Sequence, residues 1–80
     1  MDLEKHEITT VCLYALDDYY EHIQNPKLSS QILITTKYLE DGENLPMECH
    51  RIMRKAIFYW WKICDPFYYE TLSKIKKMYE

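Results

Sequence analysis

Apolar residues recur every three or four positions along most of this chain, the spacing of one helical face, and they divide it into four segments. In residues 2–23, Ile8, Cys12, Ala15, Leu16, Tyr19 and Ile23 form one stripe, while Glu7, Tyr14, Asp17, Asp18 and Glu21 fall on the other side. Asp2 stands where an N-cap belongs. Asn25-Pro26 ends the segment, because the residue before a proline disfavours helical backbone. Residues 29–40 carry conflicting signals. Ile32-Leu33-Ile34-Thr35-Thr36 is a β-branched run whose propensity favours a strand, yet Leu28, Ile32, Thr35 and Leu39 align on one helical face. Ser29 or Ser30 offers an N-cap, and Gly42 sits where a left-handed C-terminal cap belongs. No second strand-like run is present, so a lone strand would leave its backbone groups unpaired. A helix is therefore expected, the exception being a strand paired across a dimer.

Residues 46–64 carry the clearest pattern. Pro46 suits a first helical turn, and no glycine or proline interrupts the residues that follow, up to Cys64. Cys49, Ile52, Met53, Ala56, Ile57, Tyr59, Trp60, Ile63 and Cys64 gather in one broad arc. The opposite face holds His50, Arg51, Arg54, Lys55 and Lys62, with Phe58 and Trp61 among them. A helix with rings on its charged side is either sandwiched between neighbours or presents that side to a partner. Asp65-Pro66 then combines an N-cap acid with a proline at the first helical position. The last segment, residues 66–79, places Phe67, Tyr68, Leu72, Ile75 and Tyr79 inward and Lys74, Lys76 and Lys77 outward, the lysines near the end that the helix dipole favours. The expected fold is all-α: a small four-helix bundle, one domain over residues 1–80.

Composition sharpens this picture. A chain of 80 residues has room for one core and buries only roughly 60–65% of its unfolded surface. Its eight Tyr, two Trp and two Phe help to offset that, each bringing a large apolar area. Three cysteines cannot form a complete set of disulfides, and Cys49 and Cys64, 15 residues apart on one helix, lie roughly 22 Å from each other. Free thiols in a reducing compartment follow. The start of the chain lacks the apolar core of a signal peptide, and no apolar run approaches the roughly 20 residues of a membrane span, so a cytoplasmic protein is expected. Finally, the net charge of −3 conceals an asymmetry: residues 1–48 carry ten acids against three bases, residues 49–80 three acids against seven bases. The two halves either neutralise each other within the fold or lead different partners to different faces.

Catalytic chemistry finds little support. A single glycine rules out a glycine-rich phosphate loop, and no Ser or Cys sits in a recognisable nucleophile motif. Asp17 and Asp18 point about 100° apart on a helix and read as solvated surface. No Cys-x-x-Cys or His-x-x-x-His spacing joins His6, His22, His50, Cys12, Cys49 and Cys64, so neither a metal nor another cofactor is expected. The candidate site is the second face of the third helix. Arg51, Arg54, Phe58, Trp61 and Lys62 bring together residue types that dominate protein–protein interface energies. The competing structural reading packs Phe58 and Trp61 against another helix and pairs the arginines with Asp17, Asp18 or Glu21. A nucleic-acid partner is the runner-up, with the same cations meeting phosphates and the rings stacking on bases. The acidic balance and the tight, glycine-free connection between the last two helices speak against a helix-turn-helix.

One layout has a known counterpart. A leucine-containing helix ending near Tyr38-Leu39 is followed by a loop with Gly42, then Pro46, an Arg51-Ile52 pair and a lysine-rich last helix. Over residues 28–78 this order resembles the pediocin-type bacteriocin immunity proteins. The resemblance implies a cytosolic four-helix bundle that recognises its partner through the C-terminal half, and it assigns no residue a role. The expectation from the residues themselves is a non-enzymatic helical protein that binds another protein. It would be an inhibitor, adaptor or regulator of the size and composition that phages and mobile elements encode. The sequence leaves a homodimer open.

Overall fold

The computed structural model describes residues 5–79; the expected first turn at residues 2–4, with Asp2 as its cap, lies outside them. The described chain forms four helices and no strand: α1 Lys5–His22, α2 Pro26–Glu40, α3 Met47–Ile63 and α4 Tyr69–Met78, the last preceded by a 3-10 turn at Pro66–Tyr68. Helix α3 packs against each of the other three, and α1 also meets α2 and α4. The centre is filled by Ala15 and Leu16 of α1, Ile32 of α2, Met53, Ala56 and Ile57 of α3, and Leu72 and Ile75 of α4, all essentially inaccessible.

The contested segment is helical throughout, Ile32–Thr36 included. Its threonines are accommodated because Thr35 and Thr36 donate their hydroxyls to the carbonyls of Gln31 and Ile32, at 2.8 and 2.9 Å. Thr35, fully buried, thereby has its polar atom satisfied. The start of α2 corrects the sequence expectation. It lies at Pro26 rather than residue 29, and Asn25, not Ser29 or Ser30, is the cap, its Oδ1 accepting from the backbone N–H of Lys27 and Leu28. One Asn-Pro pair thus stops α1 and starts α2, with proline at the first helical position, where its missing donor costs nothing. At the other end Gly42 adopts φ +72°, its N–H bonding the Leu39 carbonyl while the Glu43 N–H reaches back to that of Tyr38. These are the two bonds of a Schellman motif.

Two further boundaries shift. Pro46 is the N-cap of α3 rather than part of its first turn; its extended backbone (φ −61°, ψ 161°) offers the carbonyl that accepts from the His50 N–H at 2.9 Å. After α3, Asp65 accepts from the Phe67 N–H at 2.8 Å, as its N-cap role predicts, but the first turn closes as a 3-10 turn through the bond from the Tyr68 N–H to the Asp65 carbonyl. A 3-10 turn advances about 20° further per residue than an α-helix, which swings Phe67 away from the Leu72–Ile75 face. Phe67, expected inside, is 83% exposed. Ile63, also assigned to the buried arc, is 52% exposed at the last position of α3. Tyr59 of the same arc is half-buried.

Candidate functional site

The outer face of α3 follows from the rotation of the helix. With Ile52, Met53, Ala56, Ile57 and Trp60 committed to the core, Arg51, Arg54, Lys55, Phe58, Trp61 and Lys62 are carried to the opposite side. The four cations are exposed, and the two rings are half-buried. Phe58 lies between two cations: the Arg54 guanidinium is 5.1 Å from its ring centroid and the Lys76 ammonium of α4 is 5.2 Å from it. The same Lys76 lies 5.2 Å from the Trp61 ring, whose other neighbour is Tyr69 at 5.1 Å between centroids. Each such cation–ring contact contributes about 0.5–1 kcal/mol at an exposed site. Core and open surface were the alternatives for these rings, and their position is intermediate, one side against α4 and the other toward solvent.

Pairing of the arginines with helix-one carboxylates does not occur. Among the described residues the one ion pair is Lys74–Glu70, 3.9 Å apart within α4. Asp18, one of the expected acids, instead accepts a 2.6 Å hydrogen bond from the Trp60 indole N–H and joins α1 to α3. Arg54, Lys55, Phe58 and Lys62, with Tyr59 and with Tyr19 from α1, border a shallow groove of about 360 Å³. Tyr59 is fixed there by His22, stacked at 4.4 Å and 22° between ring planes, and by Tyr19 at 5.6 Å.

Of the five expected site residues, Arg54, Phe58 and Lys62 therefore share one groove, Trp61 joins Phe58 through Lys76, and Arg51 stands exposed one turn before Arg54. Sequence reasoning missed Lys76, Tyr19 and Tyr59 as members. Nothing in the spacing of Lys74, Lys76 and Lys77 indicates which of them leans over α3, whereas the pairing of Tyr59 with Tyr19 is a contact between helices that no local pattern encodes.

A second cluster of rings joins the opposite face of the same end of α3 to α1. Trp60 lies 5.2 Å from Tyr68 and 6.2 Å from Tyr14, Tyr14 meets Tyr68 edge-on at 6.0 Å, and the exposed Phe67 meets Tyr68 edge-on at 5.1 Å. Cys12, Cys49 and Cys64 are buried free thiols. Burial pushes the Cys12 thiol up to about 12 and, with the nearby Cys12 thiolate charge as a secondary cause, the Tyr79 phenol to about 12. Burial likewise raises Tyr19, and it outweighs the other influences on Cys64. Among the described residues no three His, Cys, Asp or Glu side chains come together as a metal would require, and no helix is long and apolar enough to cross a membrane. Set against protein-family models, curated proteins and solved structures, the chain matches none significantly, and the resemblance to bacteriocin immunity proteins rests on its layout alone.

Proposed function

We propose that this chain is a non-enzymatic helical protein of a reducing, cytoplasmic environment that binds another protein through the outer face of α3. The observation that supports this reading most is that Arg51, Arg54, Lys55 and Lys62 are exposed on one rigid helix and pair with no carboxylate among the described residues, with Arg54, Lys55 and Lys62 bordering one groove with a half-buried Phe58. Cations held beside partly desolvated rings are ready to meet carboxylates and an apolar anchor of a partner, with little ordering left to do on binding. Interior packing does not account for the arginine charges, since among the described residues no carboxylate takes them up.

The same cations are the basis of the second reading, a nucleic-acid partner. One experiment separates the two. Affinity capture from the native host with the wild-type chain and with the Arg51→Glu/Arg54→Glu variant, each with and without nuclease, should recover a protein that survives nuclease and falls tenfold or more in the variant. Equal capture by both chains contradicts the α3 face as the site. Recovery that disappears with nuclease, and that weakens linearly in log–log form with salt, gives the reading to nucleic acid.

A further inference from the structure

The α1–α2 side of the molecule carries a groove of a different character. Leu13, Tyr14 and Tyr20 of α1 and Leu33 of α2 form apolar walls around about 430 Å³, and Leu33 is 56% exposed. The charged side chains lining it are both acids, Asp17 on the α1 wall and Glu40 on the α2 wall, and no Lys, Arg or His lines it among the described residues. The α3 face is its chemical complement, with Arg54, Lys55 and Lys62 around Phe58 and no acid lining that groove. Arg54 and Lys62 stand roughly 12 Å apart along α3, and Leu13 and Tyr20 roughly 10 Å apart along α1, so the cationic ridge and the acidic groove have matching lengths. Among the described residues neither set of charges is consumed by ion pairs.

We propose that the α1–α2 groove receives the α3 face of a second copy of this chain, with Phe58 toward Tyr14, Tyr20 and Leu33, and Arg54, Lys55 and Lys62 toward Asp17 and Glu40. The contact joins two different patches. Two copies can make it reciprocally about a two-fold axis, or successive copies can make it head to tail. The acidic and basic halves of the sequence then neutralise each other between chains. Because α3 is also the face proposed for a partner, a second copy and that partner compete for it.

Sedimentation velocity over a range from about 1 µM to 1 mM, spanning the affinities of weak self-association, tests this directly. The weight-average mass of the wild type should rise from the 9.8 kDa of one chain toward at least twice that value, and the rise should shrink as salt is raised. Asp17→Lys/Glu40→Lys alone and Arg54→Glu/Lys55→Glu alone should each remain monomeric. Their equimolar mixture should associate again, because the reversed charges are complementary between the two variants. If either reversal variant loses its helical circular dichroism, the neutral pairs Asp17→Asn/Glu40→Gln and Arg54→Gln/Lys55→Gln replace them, each expected to weaken association at least several-fold. A wild type that stays monomeric throughout, or association that either variant leaves unchanged, or a mixture that fails to recover, overturns the proposal. Asp17→Lys/Glu40→Lys leaves α3 intact, so retained partner capture by that variant distinguishes failure of self-association from failure of the α3 partner site.

Discussion

Adjacent carboxylates have unlike fates in this fold. Asp17 is exposed in the α1–α2 groove, whereas Asp18, one residue on, takes the indole hydrogen of buried Trp60. Asp18→Ala is therefore expected to cost about 1–3 kcal/mol by leaving that N–H without its partner, and Asp17→Ala to stay within about 0.5 kcal/mol, as chemical denaturation of the two variants would show. The tryptophans differ in the same way. Trp60→Ala should cost roughly 3–5 kcal/mol, near the whole stability of so small a domain, and Trp61→Ala only about 1–2 kcal/mol, because one side of its ring already faces water. The buried Cys12 thiol and the half-buried Tyr79 phenol make a prediction in pH. Folded Cys12 and Tyr79 keep their protons to about 12, above the ordinary values at which the unfolded chain releases them. Between those values the native state binds more protons, so stability is fully present below the unfolded pKa values and falls as pH rises from about 9 toward 12. Urea midpoints measured up to pH 11 should decline, and Cys12→Ala should flatten the decline; a pH-independent midpoint over that range contradicts it. Which residues are interior was readable where the period was regular, as for Cys12, Leu16, Ile57 and Leu72. Phe67 was misplaced because a tight turn changes the rotation per residue, and that turn is set by Asp65-Pro66 rather than by the apolar pattern.

At the level of elements, α2 was the hardest to read and is the most dependent on its ends. It buries only Ile32 and Thr35 fully, while Leu33 and Ile34 are 56% and 52% exposed. Three consecutive aliphatics span about 200° of a helix, so they cannot all face one core; that was the available signal for an apolar patch on its surface. With little burial to hold it, the caps matter. Asn25→Ala should lower stability by about 1 kcal/mol. Gly42→Ala should cost about 1–2 kcal/mol from backbone strain at φ +72°, since a methyl group there meets nothing. Both are checked by thermal unfolding, and loss at Ser29→Ala equal to that at Asn25→Ala would contradict the observed cap. The start of α2 was not legible because Asn25-Pro26 was read as a stop signal alone, whereas the same pair also opens a helix when proline falls at the first position.

Across the whole molecule, the charge asymmetry of the sequence becomes a spatial one. The four-helix architecture was legible, as was the face of α3 that carries Arg51, Arg54, Phe58, Trp61 and Lys62, because both follow from rotation per residue. What lies beside that face was not: Lys76 over two rings, Tyr19 against Tyr59, and Asp18 turned to Trp60 instead of to an arginine are contacts between helices. Among the described residues no carboxylate pairs with either arginine, and that is the point on which the functional reading turns. The chain has only two arginines, Arg51 and Arg54, both on α3. An arginine-selective dicarbonyl reagent followed by mass spectrometry therefore reports on this face and nothing else. At a concentration too low for self-association, both guanidiniums of the isolated chain should react as readily as in the urea-unfolded chain. In complex with the captured protein both should be protected, while the exposed Lys74 of α4 remains open to an amine reagent. Slow reaction in the isolated chain, or equal reaction with and without the bound protein, would contradict the account.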